Sequence, residues 1–200
     1  QRAIVYVKDC LRLAADIGAP CIGVIPSPVG RLGPLKSFED EWRWAVESVR
    51  KALSCAEDTN VLLALEPLNR YESYLLNNVE EALRFIKELD SDYARIVLDC
   101  FHMNIEEPDI LAASRKAKDY LALVHIADSN RQGLGRGHID SFSIMRVLKE
   151  IGYEGAITLE AMAPGANPFQ AIKDKTSKET LDSYLEESIA LLRTLERVVE

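Results

Sequence analysis

The chain has 200 residues, a formal net charge of -8 and a pI near 5.1. That length suits one domain with a sizeable core, spanning 1-200, and the acidic balance disfavours a nucleic-acid surface. No apolar run is long enough to span a membrane, no secretory-signal pattern is visible, and Cys10, Cys21, Cys55 and Cys100 lack CxxC or framework spacing, which predicts reduced thiols in a cytoplasmic protein.

The sequence opens on Gln1 inside an amphipathic pattern. Ile4, Val7, Leu11 and Ala14 recur at helical spacing with no capping residue ahead of them, which reads as a chain cut upstream. Gly18 is placed to end this helix as its C′ residue. A strand is predicted over CIGVI (21–25). Pro26 to Pro34 then holds three prolines and two glycines, a long loop at a strand's C-terminal end. Ser37 with Asp40 signals a helix start, followed by the stripe Trp42, Ala45, Val46, Val49, Leu53 and Ala56.

The strand VLLAL (61–65) ends on Glu66 and Pro67. Asn78 with Glu81 caps a helix whose buried stripe is Ala82, Phe85, Ile86 and Leu89. RIVLD (95–99) is the next strand, and Pro108 is placed to open the helix behind it. LALVHI (121–126) leads into the glycine-rich run GLGRGHID (133–140), then a helix carrying Ile144, Val147, Leu148 and Ile151 that stops at Gly152. AITLE (156–160) leads to a Pro/Gly loop. The last helix has its capping signal at Thr176 and Glu179 and the stripe Leu181, Tyr184, Leu185, Ser188, Leu192 and Leu195.

The order is one helix and then five β–loop–α units, which predicts a parallel sheet covered by helices. Both an open doubly wound sheet and a TIM (β/α)8 barrel fit. Four successive strands end on Glu66, Asp99, His125 and Glu160, at gaps of 33, 26 and 35 residues. In an open sheet such ends spread along a line. In a barrel they converge on the face where barrel enzymes do chemistry. The expected fold class is therefore α/β, a TIM barrel that is N-terminally truncated, with about five βα units plus a leading helix present out of eight. One Asp or Glu after a strand is ordinarily a helix cap or a solvated loop residue. Glu66 and Asp99, however, stand well ahead of the next capping signals. Three carboxylates and an imidazole meeting at one point would repel without a cation, and they form a ligand set for a hard divalent metal.

The wording around these residues is specific. LALEPLNRYES (63–73), VLDCFHMNIEE (97–107), HIADSNRQGLGRGHID (125–140) and ITLE (157–160) resemble the xylose-isomerase-like TIM-barrel superfamily of sugar and sugar-phosphate isomerases and epimerases. Within it the similarity is to the ketose 3-epimerases of the tagatose, psicose and ribulose type, and it runs from about residue 61 to 160. The resemblance implies a divalent-metal-dependent isomerase that epimerises a ketose at C3 through a metal-stabilised enediolate. It implies that Glu66, Asp99, His125 and Glu160 bind one divalent ion, Mn²⁺, with Mg²⁺ or Co²⁺ as alternatives. Glu66 and Glu160 would double as the acid–base pair, and Glu72, His102 and Arg131 would hold the substrate. The implied partner is a small sugar, not nucleic acid or membrane, and full-length relatives imply a homo-oligomer.

The chemistry agrees with this division. Inverting a carbon beside a ketone needs a base on one face, an acid on the other, and positive charge at the enediolate oxygens. Departures from the 3-epimerase pattern are Cys100 where Thr is usual, Asp128 where Glu is usual, and Ala161 where Pro is usual. Taken without the resemblance, His102 is an ordinary loop histidine and Arg131 a solvated arginine. His138 orders the glycine loop or caps the next helix with Asp140. Trp42 fits a core stripe, while Trp44, Tyr71 and Tyr74 are candidates to line a pocket. An inosose dehydratase or a hydroxypyruvate-type isomerase would use the same site. An apurinic endonuclease needs a histidine-rich zinc cluster, and this chain has three histidines. A non-catalytic sugar-binding barrel would not need the complete quartet.

Overall fold

The structure is a computed structural model and describes residues 1–164, 167 and 173–199. Helix α1 (Arg2–Asp16) precedes strand β1 (Cys21–Val24), and then come α2 (Phe38–Thr59), β2 (Leu62–Leu65), α3 (Val79–Leu89), β3 (Ala94–Asp99), α4 (Cys100–Glu106), α5 (Ile110–Ala117), β4 (Leu121–Ile126), α6 (Ser141–Glu150), β5 (Ala156–Leu159) and α7 (Lys175–Val198). The Pro/Gly loop expected after the fifth strand lies largely outside the described residues.

All four strand pairings are parallel, and the sheet order is β1-β2-β3-β4-β5. Spatial order equals chain order, with no point of reversal. A doubly wound sheet changes direction part-way across, whereas a barrel wall does not. The five strands with their helices form a half-barrel, in keeping with the truncated TIM barrel expected from sequence.

Strand alternation sorts the side chains. Leu63, Leu65, Ile96 and Leu98 face outward, and Trp42, Val46, Val49 and Leu53 of α2 and Phe85, Ile86 and Leu89 of α3 close over them. Val124 and Ile126 face a second cluster with Leu134, Ile144 and Leu148. The opposite parity, which includes Asp99 and His125, lies on the inner side. Gly18 takes φ +74 just past α1, as a C′ glycine should. Asn60 and Asp90 adopt left-handed backbone at the ends of α2 and α3.

Four local expectations are corrected. Pro108 does not open α5. Asp109 caps it by accepting Ala112 N–H, and Pro108 stands one residue outside. Asp174, not Thr176 with Glu179, caps α7 by accepting Ser177 N–H. Leu185 is exposed rather than on the buried stripe of α7, where Tyr184, Ser188 and Leu195 are buried. Asp99 does cap a helix: its Oδ1 accepts Phe101 N–H, so Cys100 is the first residue of α4 rather than part of a strand. Cys100 packs outward, against the second cluster.

The Trp42 and Phe85 rings meet edge to face with centroids 5.0 Å apart, and Phe85 is fully buried between α2 and the sheet. Replacing Phe85 by Ala removes that contact and leaves a void. The expected cost is about 3–5 kcal/mol, read as a lower urea midpoint with unchanged slope. A loss below about 1 kcal/mol would show that this layer is not the packed core.

Candidate metal centre

Each member of the quartet is placed by the same rule. Glu66 is the first residue after β2, Asp99 the last of β3, His125 the penultimate residue of β4, and Glu160 the first after β5. Register locks them together: Asp99 pairs with His125 across β3 and β4, and Glu160 N–H donates to the Ile126 carbonyl at 3.0 Å. Glu66 N–H donates to the Val24 carbonyl at 3.1 Å, so even the residue beyond its strand is tied to the sheet. One ligand atom from each of the four lies within 4.8 Å of the others.

The electrostatics show what holds this cluster together. His125 Nδ1 lies 2.9 Å from Glu66 Oε1 and 2.8 Å from Glu160 Oε2. Burial alone would lower the His125 pKa, but the two carboxylates override it and push it up to about 10. Burial alone would raise Glu160, yet His125 and Arg131 hold it down at about 2. Asp99 is 1% exposed, and burial raises its carboxyl above the usual range against the pull of Arg131 and His102.

Arg131 is the second source of positive charge. It is 8% exposed, with Nη1 2.5 Å from Asp99 Oδ2 and Nη2 3.0 Å from Glu160 Oε2. Its guanidinium stacks over Phe101, 4.8 Å from the ring centroid. Its backbone sits at φ 60, a conformation that costs a non-glycine residue about 1 kcal/mol. Two bonds hold it there, from Arg131 N–H to the Asp128 carbonyl at 2.8 Å and from Met162 N–H to the Arg131 carbonyl at 2.6 Å.

The residues fit a divalent cation. Glu160 Oε2 is buried and receives no directed hydrogen bond, even though nitrogens of His125 and Arg131 lie within 3.0 Å. A carboxylate oxygen with unused lone-pair capacity, beside two further carboxylates and an imidazole, is a donor set for a hard or borderline divalent ion.

The three residues expected to hold substrate are placed differently. His102 is buried, with Nε2 3.6 Å from Asp99 Oδ2. Arg131 joins the quartet directly. Glu72 does not: its Oε1 accepts from Asn69 Nδ2 at 2.9 Å, and Asn69 in turn contacts His102. Among the aromatic candidates, Trp42 is in the core and Tyr71 is exposed. Trp44 and Tyr74 line an apolar cleft of about 430 Å³ between α1, α2 and the loop after β1, and none of the quartet forms its walls. His138 shares a 2.9 Å contact with Ser129 Oγ and orders the glycine loop, while Asp140 alone caps α6.

Sequence reasoning missed two residues. Asn69 looks like any polar residue of a turn. Asp128 stood out only as a departure from the 3-epimerase pattern, yet it builds the loop that carries Arg131. Asp128 is fully buried and accepts the N–H groups of Ser129 at 2.7 Å, Gly135 at 2.9 Å and Ile139 at 3.1 Å. At Gly137 a Cβ would collide with the Asp128 and Ser129 side chains, so only glycine lets the loop close on this carboxylate.

Comparison with known proteins places the arrangement. The sequence matches the xylose isomerase-like TIM barrel family over residues 1–195. It is 42% identical over 120 residues to a D-psicose 3-epimerase of Ruminiclostridium cellulolyticum, covering 60% of this chain and 41% of that protein. It is 32% identical over 194 residues to an L-ribulose 3-epimerase of Mesorhizobium japonicum, covering 97% of this chain and 61% of that protein. The crystal structure of D-psicose 3-epimerase with D-tagatose from Clostridium cellulolyticum superposes with a TM-score of 0.87 at 30% identity, over 98% of this chain and 71% of that one. The chain thus spans less than two thirds of the length of these curated relatives.

Burial opposes the Asp128 charge, but backbone N–H groups of Ser129, Ile139, Gly137 and Gly135 override it and hold its carboxyl below the usual range. A folded pKa below the unfolded one means that the stabilisation is complete above the unfolded value of about 3.9. It is lost as pH falls through the folded value. Asp128→Asn should therefore cost about 2 kcal/mol at neutral pH and flatten the acid side of the stability curve. Urea titrations of both proteins across the acid range check this, and equal stability at neutral pH would contradict it.

Proposed function

The chain belongs to the xylose isomerase-like TIM barrel family, and from that membership we propose that it is a sugar isomerase or epimerase that inverts C3 of a ketose. The observation that carries this reading is the quartet Glu66, Asp99, His125 and Glu160 with Arg131 and His102 against it. Two carboxylates suited to proton transfer stand in one cluster with cationic and donor groups for a sugar's oxygens. The names of the relatives at 42% and 32% identity favour the same chemistry.

Glu66 and Glu160 are the acid–base pair. They reach His125 from opposite sides, Glu66 from the end of β2 and Glu160 from the end of β5, so a planar substrate carbon seated between them can lose a proton to one carboxylate and regain it from the other. Which of the two acts first depends on the direction of the reaction. Glu66, Asp99, His125 and Glu160 would hold a divalent ion, with Mn²⁺ the family's indication and Mg²⁺ or Co²⁺ as alternatives, and it would supply Lewis-acid stabilisation of developing negative charge. Arg131 orients Asp99 and Glu160 and, with His125, favours the ionised form of Glu160. His102 presents its Nε2 edge to the sugar.

A small sugar is the partner in this reading. Cytoplasmic residence accords with four free cysteines and with the absence of any described helix long and apolar enough to cross a membrane. A homo-oligomer belongs to the same proposal.

Incubation with Mn²⁺ and a panel of ketoses, including D-psicose, D-tagatose and L-ribulose, in D₂O should place deuterium at C3 and interconvert the epimers. Chelator should stop both. Glu160→Gln should lower the rate by about 10²–10⁴-fold. Absence of deuterium from every sugar tested would sink the proposal.

A further inference from the structure

Asn69 lies in the loop after β2, three residues past Glu66, and is 2% exposed. The reaction described above gives it no part. Its side-chain amide has one available orientation. Oδ1 accepts the backbone N–H of Tyr71 at 3.0 Å, so Nδ2 must supply the donors on the other side. One donor meets Glu72 Oε1 at 2.9 Å and the other meets His102 Nδ1 at 2.8 Å. The backbone N–H of Asn69 points at the same His102 Nδ1 from 3.2 Å. An imidazole nitrogen that faces two N–H donors can only accept. The single proton of the neutral ring therefore sits on Nε2, the edge that faces Asp99 Oδ2 and the quartet. Phe101 packs against the imidazole with centroids 5.3 Å apart and restricts its rotation.

We infer that Asn69 is a positioning residue that fixes His102 as its Nε2–H tautomer, so that the ring offers a hydrogen-bond donor, and not a lone pair, to an oxygen seated beside Asp99. Glu72 then acts at least in part through Asn69. Its carboxylate accepts one amide hydrogen and so aims the other at His102. The identity of the receiving oxygen, a carbonyl or hydroxyl of a ketose, rests on the epimerase reading. The tautomer itself does not. The reason for a buried amide here is electrostatic. An acceptor facing Nδ1 would draw the proton to that side and turn the Nε2 lone pair toward Asp99, where lone pair and carboxylate oppose each other.

The test is long-range ¹H–¹⁵N NMR on metal-free protein labelled at histidine nitrogen, above about pH 8 so that an ordinary imidazole is neutral. The chain has three histidines, and His102→Gln assigns the relevant signals. The parent should show His102 with unprotonated Nδ1 and protonated Nε2. Asn69→Asp keeps the shape but replaces the donor with an acceptor. It should move the proton to Nδ1 and lower kcat of the Mn²⁺-loaded enzyme about 10–100-fold, with a smaller change in KM. Asn69→Ala retains the backbone donor, so it should keep the Nε2–H signature and lose less activity. An Nδ1–H signature in the parent would overturn the inference. So would an unchanged tautomer in Asn69→Asp, or Asn69→Ala proving as damaging as Asn69→Asp. Should Asn69→Asp fail to fold, the parent and Asn69→Ala spectra decide the matter. The tautomer readout needs neither metal nor sugar. An intact Nε2–H signature without turnover of any ketose would count against the epimerase reading and leave the positioning role upheld.

Discussion

Three carboxylates, on Glu66, Asp99 and Glu160, are drawn to one point by the parallel sheet, and their mutual repulsion is the constraint around which the neighbouring structure is arranged. Two like charges about 4 Å apart at an effective dielectric of about 20 repel by roughly 4 kcal/mol. The protein answers with charge of the opposite sign from two directions. His125 comes from within the sheet, and Arg131 arrives from the loop above it. Even so, Glu160 Oε2 keeps unused acceptor capacity. The cluster holds three carboxylates against two cationic side chains and is not saturated in bonds, which suits a donor set for a cation.

This arrangement explains the 127–139 loop. Arg131 reaches Asp99 and Glu160 only because its backbone takes a left-handed turn. That turn is held by the Asp128 carbonyl on one side and Met162 N–H on the other. Asp128 in turn gathers the backbone N–H groups of the glycine-rich stretch onto its carboxylate. An acid that never touches the quartet thus sets the position of the base that steadies it. Gly137 is required by close approach rather than by backbone flexibility.

The sheet does the rest. Because each strand is parallel to the next and successive in order, the same position of each βα unit falls on the same rim. The quartet is legible in sequence for that reason, as four acids or imidazoles each following an apolar run. The outer core was legible too, because Phe85, Ile86 and Leu89 repeat with helical period against strands of continuous apolar character. Helix starts were less so. At α5 and α7 the capping aspartates, Asp109 and Asp174, stand one or two residues from the more conspicuous Pro108 and Thr176. At α4 one residue, Asp99, serves as both cap and quartet member, because a carboxylate has two oxygens and Phe101 N–H uses one while Arg131 uses the other.

The sequence by itself determined the order of elements and the four residues at the strand ends, since these follow from periodicity along one chain, and the need for those four to converge pointed to a barrel-type sheet. Only the tertiary structure decided the company those residues keep. Arg131 reads as a solvated loop residue until a left-handed turn buries it on two carboxylates. Asn69 reads as a turn residue until His102, 33 positions away, is found against its amide. Glu72 reads as a loop acid until its carboxylate is found on Asn69. Hydrogen bonds and ion pairs depend on distance and direction in space, and their partners here come from different βα units. A linear pattern therefore shows which groups reach the rim, but not which of them face each other once they are there.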